Sequence, residues 1–146
     1  MSLKLFEKAY LYHITYSKLY AEIHDPNEAD RGGRVLVEGD ATPSIEDNKL
    51  VFDVVLSAAF YPKDADVEDE DSVVAEAEIC AKAIFHADRE FGDEESAAID
   101  GFSAQQRHKF SDRHFAVVET VLMSKLKALM SDLQMPLGIP FQLTRS

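Results

Sequence analysis

The sequence predicts an α+β domain in which a four-stranded antiparallel sheet packs against one long C-terminal helix. Three observations predict it. "KLVFDVVLSAAFY" and "DSVVAEAEICAKAIF" alternate in polarity at period two, as half-buried strands do. Between Ser111 and Leu133, Phe115, Val118, Leu122, Leu126, Leu129 and Leu133 recur at spacings of three and four, the pattern of an amphipathic helix. The strands come first with short connections, which favours antiparallel pairing. A single domain over residues 1–146 is expected, long enough to bury roughly two-thirds of its potential surface.

The first segment, Leu3 to Ile23, reads as a strand bent near Ser17. Phe6, Tyr10, Tyr12, Ile14, Tyr16 and Tyr20 share one parity there. A helix competes, because Leu3, Phe6 and Tyr10 also fit its period. His24 to Gly33 has the Pro, Asn, Asp and Gly content of a loop. Arg34 to Ala41 is a short strand and "TPSIEDN" turns the chain. Lys49 to Tyr61 is the clearest strand, with Leu50, Phe52, Val54, Leu56, Ala58 and Phe60 on one face. Its other face mixes Asp53 and Ser57 with Val51, Val55, Ala59 and Tyr61. Pro62 ends it, and an acidic loop follows over Asp64 to Asp71. Close carboxylates repel, so that run prefers solvent.

In the last strand Val73, Ala75, Ala77, Ile79, Ala81, Ala83 and Phe85 point one way. Val74, Glu76, Glu78, Cys80, Lys82 and Ile84 point the other. Small side chains on one face let a helix approach a sheet closely. Asp88 to Phe110 is acidic and broken by glycines, with a short helix over Glu94 to Ile99. The long helix begins at Ser111 or Asp112 as its cap. Val117, Val121, Ala128 and Met130 widen its apolar arc, so it meets two surfaces: its own sheet and a partner. Pro136, Gly138 and Pro140 make the tail irregular, with Leu137, Ile139 and Phe141 docked extended.

Net charge is −12 and the isoelectric point about 4.7. Such a charge repels phosphate backbones and anionic bilayers, which disfavours nucleic acid and membrane partners. No run approaches the about 20 apolar residues needed to span a bilayer. No signal stretch opens the chain, so a cytoplasmic protein is expected. Cys80 is the only cysteine, so no internal disulfide forms.

Nothing assembles into recognisable chemistry. His13, His24, His86, His108 and His114 lack the HExxH spacing, and no spacing supports zinc on Cys80 with His86 or His108. The acidic loop lacks the central glycine and closing glutamate of a calcium loop. Cys80 sits mid-strand, without the helix N-terminus that activates a thiol. No catalytic residue, metal or cofactor is assigned, and binding is the expected role.

At this point the order of elements resembles the SecB export chaperones and their relatives. "KLVFDVVLSAAF" is similar to the family's central strand. "AEICAKAIFHAD" is similar to the next, which ends Gly–Ile–Phe in the family and Ala83, Ile84, Phe85 here. "HFAVVETVLMSKLKALMSDLQMPLGIPFQL" is similar to the main helix and the extended segment after it. The resemblance implies dimers or tetramers that hold unfolded proteins in apolar grooves without ATP. Classical members pass precursors to an export motor, and relatives hold antitoxins. It implies a client groove lined by Tyr12, Tyr16 and Tyr20 with Val74 or Ile84, and a subunit interface at Val117, Val121 and Ala128. Two departures stand out. His114 to Val117 reads "HFAV" where the family opens with Pro–Tyr–Ala–Arg, and the second C-terminal helix is missing, which puts motor binding in doubt. Three roles compete: a chaperone-like binder of non-native proteins, an adaptor or inhibitor for one folded partner, and a small enzyme or small-molecule binder, for which no closed pocket can be named.

Overall fold

The computed structural model describes residues 4–25, 27, 33–62 and 73–133, and the backbone of a strand at 141–145. A helical turn, α1 (Lys4–Glu7), precedes β1 (Tyr10–Ile23), β2 (Gly33–Glu46), β3 (Lys49–Pro62) and β4 (Ala75–His86). α2 (Asp93–Asp100), α3 (Ala104–Asp132) and β5 (Phe141–Arg145) follow. The strand order is β1-β4-β3-β2-β5. β1 to β4 form an antiparallel sheet packed against α3, as the alternation predicts. No helix among the described residues is long and apolar enough to cross a membrane.

The chain divides into two compact units, and each of β1 to β4 and α3 contributes a part to both. The first comprises Met1–Ser17, Ala41–Val54 and Ala81–Val121. Its core is aromatic. The Phe6 ring stacks on Phe91 at 5.5 Å and meets Phe110 edge-on at 5.0 Å. Phe52 packs against Phe85 and Phe110. His114 sits buried among Phe52, Phe85 and Phe110, with Nδ1 3.0 Å from the Phe110 carbonyl and Nε2 3.1 Å from the Phe6 carbonyl. A neutral imidazole has one N–H, so it donates to one of those oxygens; the imidazolium donates to both.

The second unit comprises Lys18–Asp40, Val55–Cys80 and Leu122–Ser146. Its core is mostly aliphatic: Val35, Val37, Leu56, Ala58, Ile79, Leu122, Leu126 and Met130 are buried, with Phe60. A Cβ added at Gly33 would collide with the Tyr61 carbonyl, so only glycine lets the chain pass there.

Several boundaries differ from the sequence reading; β4, for one, begins at Ala75 instead of Val73. Residues 4–7 are helical, and Phe6 belongs to the aromatic core instead of the tyrosine face. β1 starts at Tyr10 instead of Leu3 and ends at Ile23, as read. β2 extends to Glu46, and the turn is only Asp47 and Asn48, with φ of 50° and 63°. Positive φ at both residues is the geometry of a two-residue type I′ hairpin, which suits the strand twist, and Asp and Asn tolerate it best after Gly. α3 begins seven residues before Ser111. Ser103 Oγ accepts from the Gln106 N–H at 3.1 Å and Gln106 Oε1 from the Ser103 N–H at 2.9 Å. That reciprocal pair is a capping box. The Ser111 hydroxyl instead donates to the Ala41 carbonyl at 3.1 Å. Part of the tail is regular: β5 lies parallel to β2, Val35 opposite Phe141. The acidic loop Asp64 to Asp71, Leu137 and Ile139 lie outside the described residues.

α2 is held by a buried carboxylate. Glu95 Oε1 accepts from the Gly92 N–H at 3.1 Å and from Arg89 at 2.9 Å. Burial pushes the Glu95 carboxyl up, but the Gly92 and Arg89 bonds outweigh it and hold it below the usual range. A carboxyl depressed in the folded state stabilises above its unfolded pKa, and that contribution is lost as pH falls through the folded value. The melting temperature should therefore drop through the acid range, and Glu95→Gln should flatten that drop while lowering the neutral-pH plateau. A parallel acid profile in the variant would exclude Glu95 as a source. Ala83 is fully buried in β4. Ala83→Leu should cost about 1–3 kcal/mol in urea unfolding by overpacking, whereas Lys82→Ala, one residue earlier and facing outward, should have a much smaller effect.

Candidate functional site

On the side of the sheet away from α3, the second unit carries an open depression of about 600 Å³. Strand parity builds it. β1 supplies Lys18 and Tyr20, β4 Glu76 and Glu78, β3 Ser57, Ala59 and Tyr61, and β2 Leu36 and Glu38. On β2, β3 and β4 these residues alternate with residues of the buried face, so the same period that fills the core lines the depression; β1 has no buried residue.

Its walls are bonded. Lys18 Nζ donates to Glu78 Oε1 at 3.1 Å. This pair and the Cys80 thiol, 3.4 Å from the same oxygen, hold the Glu78 carboxyl below its ordinary value, the Lys18 hydrogen bond contributing most. Tyr20 donates to Glu22 and lies 3.4 Å from Glu76. The Glu22 hydrogen bond, with burial and the charges of Glu22 and Glu76, pushes the phenol up to about 12. His24 stands 3.4 Å from Glu76.

The first unit carries a different patch. Tyr12 is 63% exposed and its ring stacks on His86 at 3.9 Å, only 12° from parallel. Tyr10 is 54% exposed and meets His86 edge-on. His86 Nε2 is buried with no hydrogen-bond partner among the described residues. Nearby Lys82 bonds both oxygens of Glu46 at 3.0 and 3.2 Å; that bond, then the charges of Glu46 and Asp53, raise its pKa.

Neither a protein-family model nor a curated protein sequence matches the chain. The fold is similar to a solved structure of a SecB-like chaperone from Mycobacterium tuberculosis in complex with a ChAD peptide from the HigA1 antitoxin. The TM-score is 0.55 at 16% identity, covering 89% of this chain and 86% of that one. At that identity the likeness establishes the fold alone.

The sequence-derived residues fall in several places. Tyr12 and Tyr16 lie in the first unit and Tyr20 in the second, all within β1. Tyr16 is half-buried, which raises its phenol. Ile84 is half-buried on the outer face of β4. Val74 is 5% exposed and offers almost no surface; its carbonyl instead accepts from the His24 and Asp25 N–H groups. Val117 and Val121 are 49% and 41% exposed and Ala128 is exposed, all away from the buried stripe of α3. Leu36, Ser57 and Tyr61 were missed, although their parity with Asp53 and Glu38 placed them on the open side.

Burial, then the Glu78 hydrogen bond and charge, push the Cys80 thiol above its ordinary pKa, with Lys18 opposing. A thiol held protonated is a poor nucleophile. Cys80 should alkylate with iodoacetamide more slowly than a free cysteine at pH 8, and Glu78→Gln should speed the reaction. A rate equal to free cysteine would contradict this environment.

Proposed function

We propose that this chain is a non-catalytic binder of one dedicated polypeptide partner, engaged along β1 and the open side of the sheet. One observation carries the reading. β1 is an edge strand with no buried residue, yet it bears exposed Tyr10, Tyr12, Leu19 and Tyr20. An exposed edge accepts an added strand through backbone hydrogen bonds, while side chains at alternate positions select its sequence. Tyr12, Tyr16, Tyr20 and Ile84 are the contacts this reading assigns. The rim of Glu38, Glu76 and Glu78 favours a basic segment, in keeping with a net charge of −12. The fold likeness adds support, since that relative was solved with a peptide from one antitoxin. The ridge of Val117, Val121 and Ala128 is assigned to contact between copies, as dimer or tetramer.

General holding of non-native chains is the broader reading, favoured by the tyrosine face, because apolar burial reads no sequence. Light scattering separates the two. When a chemically unfolded model protein is diluted into buffer, a dedicated binder should suppress aggregation no better than an acidic control of similar size. Suppression at near-stoichiometric ratio would establish general holding instead. Against the cognate segment, Tyr12→Ser and Tyr20→Ser should each weaken binding by about tenfold. Unchanged affinity in both variants would remove β1 from the binding surface.

A further inference from the structure

At the end of β1 in the second unit, Glu22 is the penultimate residue of the strand and His24 the first beyond it, and Glu76 of β4 lies close to His24. One ligand atom from each of Glu22, His24 and Glu76 lies within 4.8 Å of the other two. His24 Nε2 stands 3.4 Å from Glu76 Oε1, and Nδ1 3.9 Å from Glu22 Oε1. We propose that Glu22, His24 and Glu76 form a site for a first-row divalent metal, best suited to Zn²⁺. This rests on geometry and donor chemistry, independently of the partner proposed above.

Zinc takes imidazole nitrogen and carboxylate oxygen at about 2.0–2.2 Å, and a tetrahedron of that size spaces neighbouring ligand atoms about 3.4 Å apart. The separation of Glu76 Oε1 from His24 Nε2 already has that value; Glu22 lies nearer the other ring nitrogen, so its carboxylate must swing toward Nε2 to complete the shell. One nitrogen and two carboxylates leave the fourth position to water. Two anionic ligands cancel the charge of the ion, and the imidazole selects zinc over magnesium or calcium, which prefer all-oxygen shells. The backbone presets the arrangement: the N–H groups of His24 and Asp25 both donate to the Val74 carbonyl, at 2.7 and 3.2 Å, fixing the end of β1 beside the start of β4. Tyr20, bonded to Glu22 and close to Glu76, orients both carboxylates from outside the ligand shell. Without a metal, Glu22 and Glu76 are like charges gathered about one imidazole and one phenol. A cation relieves that repulsion and ties β1 to β4.

The test is titration of the full chain with ZnCl₂ by calorimetry near neutral pH, with CoCl₂ as a spectroscopic probe. One equivalent should bind, and Co²⁺ should give the intense visible bands of a four-coordinate site. Glu76→Gln and His24→Gln should each weaken binding by more than about tenfold. All three ligands are surface side chains, so circular dichroism should show both variants folded. His108→Gln, which removes the exposed imidazole paired with Asp112, should bind as the parent does. Millimolar Mg²⁺ or Ca²⁺ should fail to displace Zn²⁺. Absence of binding, equal binding by the His24 and Glu76 variants, loss in His108→Gln, or displacement by Ca²⁺ would each overturn the assignment.

Discussion

Packing of the sheet depends on the alternation along β4. Ala75, Ala77, Ile79, Ala81, Ala83 and Phe85 are all buried, while Glu76, Glu78, Cys80, Lys82, Ile84 and His86 are not. β4 lies between β1 and β3, so both its edges are committed. A slip of one residue would turn two glutamates and a lysine inward, and burying unpaired charge costs several kcal/mol per ion. The register therefore has one answer. The alanines do the complementary work, because they occupy little depth and leave room for α3.

That division separates structural duty from surface duty. In the first unit, interlocked rings and the buried His114 hold the N-terminal turn to the helix. In the second, aliphatic side chains fill the core. The open side contributes little to stability. Its ion pairs, Lys18 with Glu78 and Lys82 with Glu46, are solvated, and exposed pairs of this kind are individually weak.

Much of the fold was legible because period-two alternation is a strong signal on β3 and β4, and Phe115 to Leu133 marks the helix clearly. What escaped was set by short-range chemistry or by distant contacts. The cap formed by Ser103 and Gln106 was readable as Ser-x-x-Gln, but the polar residues after it hid the first two turns of α3. Phe6 shares its parity with the tyrosines, and only its contacts with Phe91 and Phe110 reveal that it belongs elsewhere. The candidate surface was half legible. Tyrosine parity put Tyr12, Tyr16 and Tyr20 on one face. Val74 has the parity of Glu76, yet its place at the mouth of the strand buries it. The meeting of Glu22 and His24 with Glu76 depends on β1 pairing with β4 instead of β2, which no local pattern states.

β5 covers the edge of β2 in parallel, Val35 to Gly39 against Phe141 to Arg145. These strands are about a hundred residues apart along the chain. Closing so long a loop costs entropy before any pairing rewards it, so this contact forms late. Until it does, β2 presents a free strand edge, of the kind that seeds association between chains. The vulnerable species is thus a transient one: a chain whose core has formed but whose second border is still open.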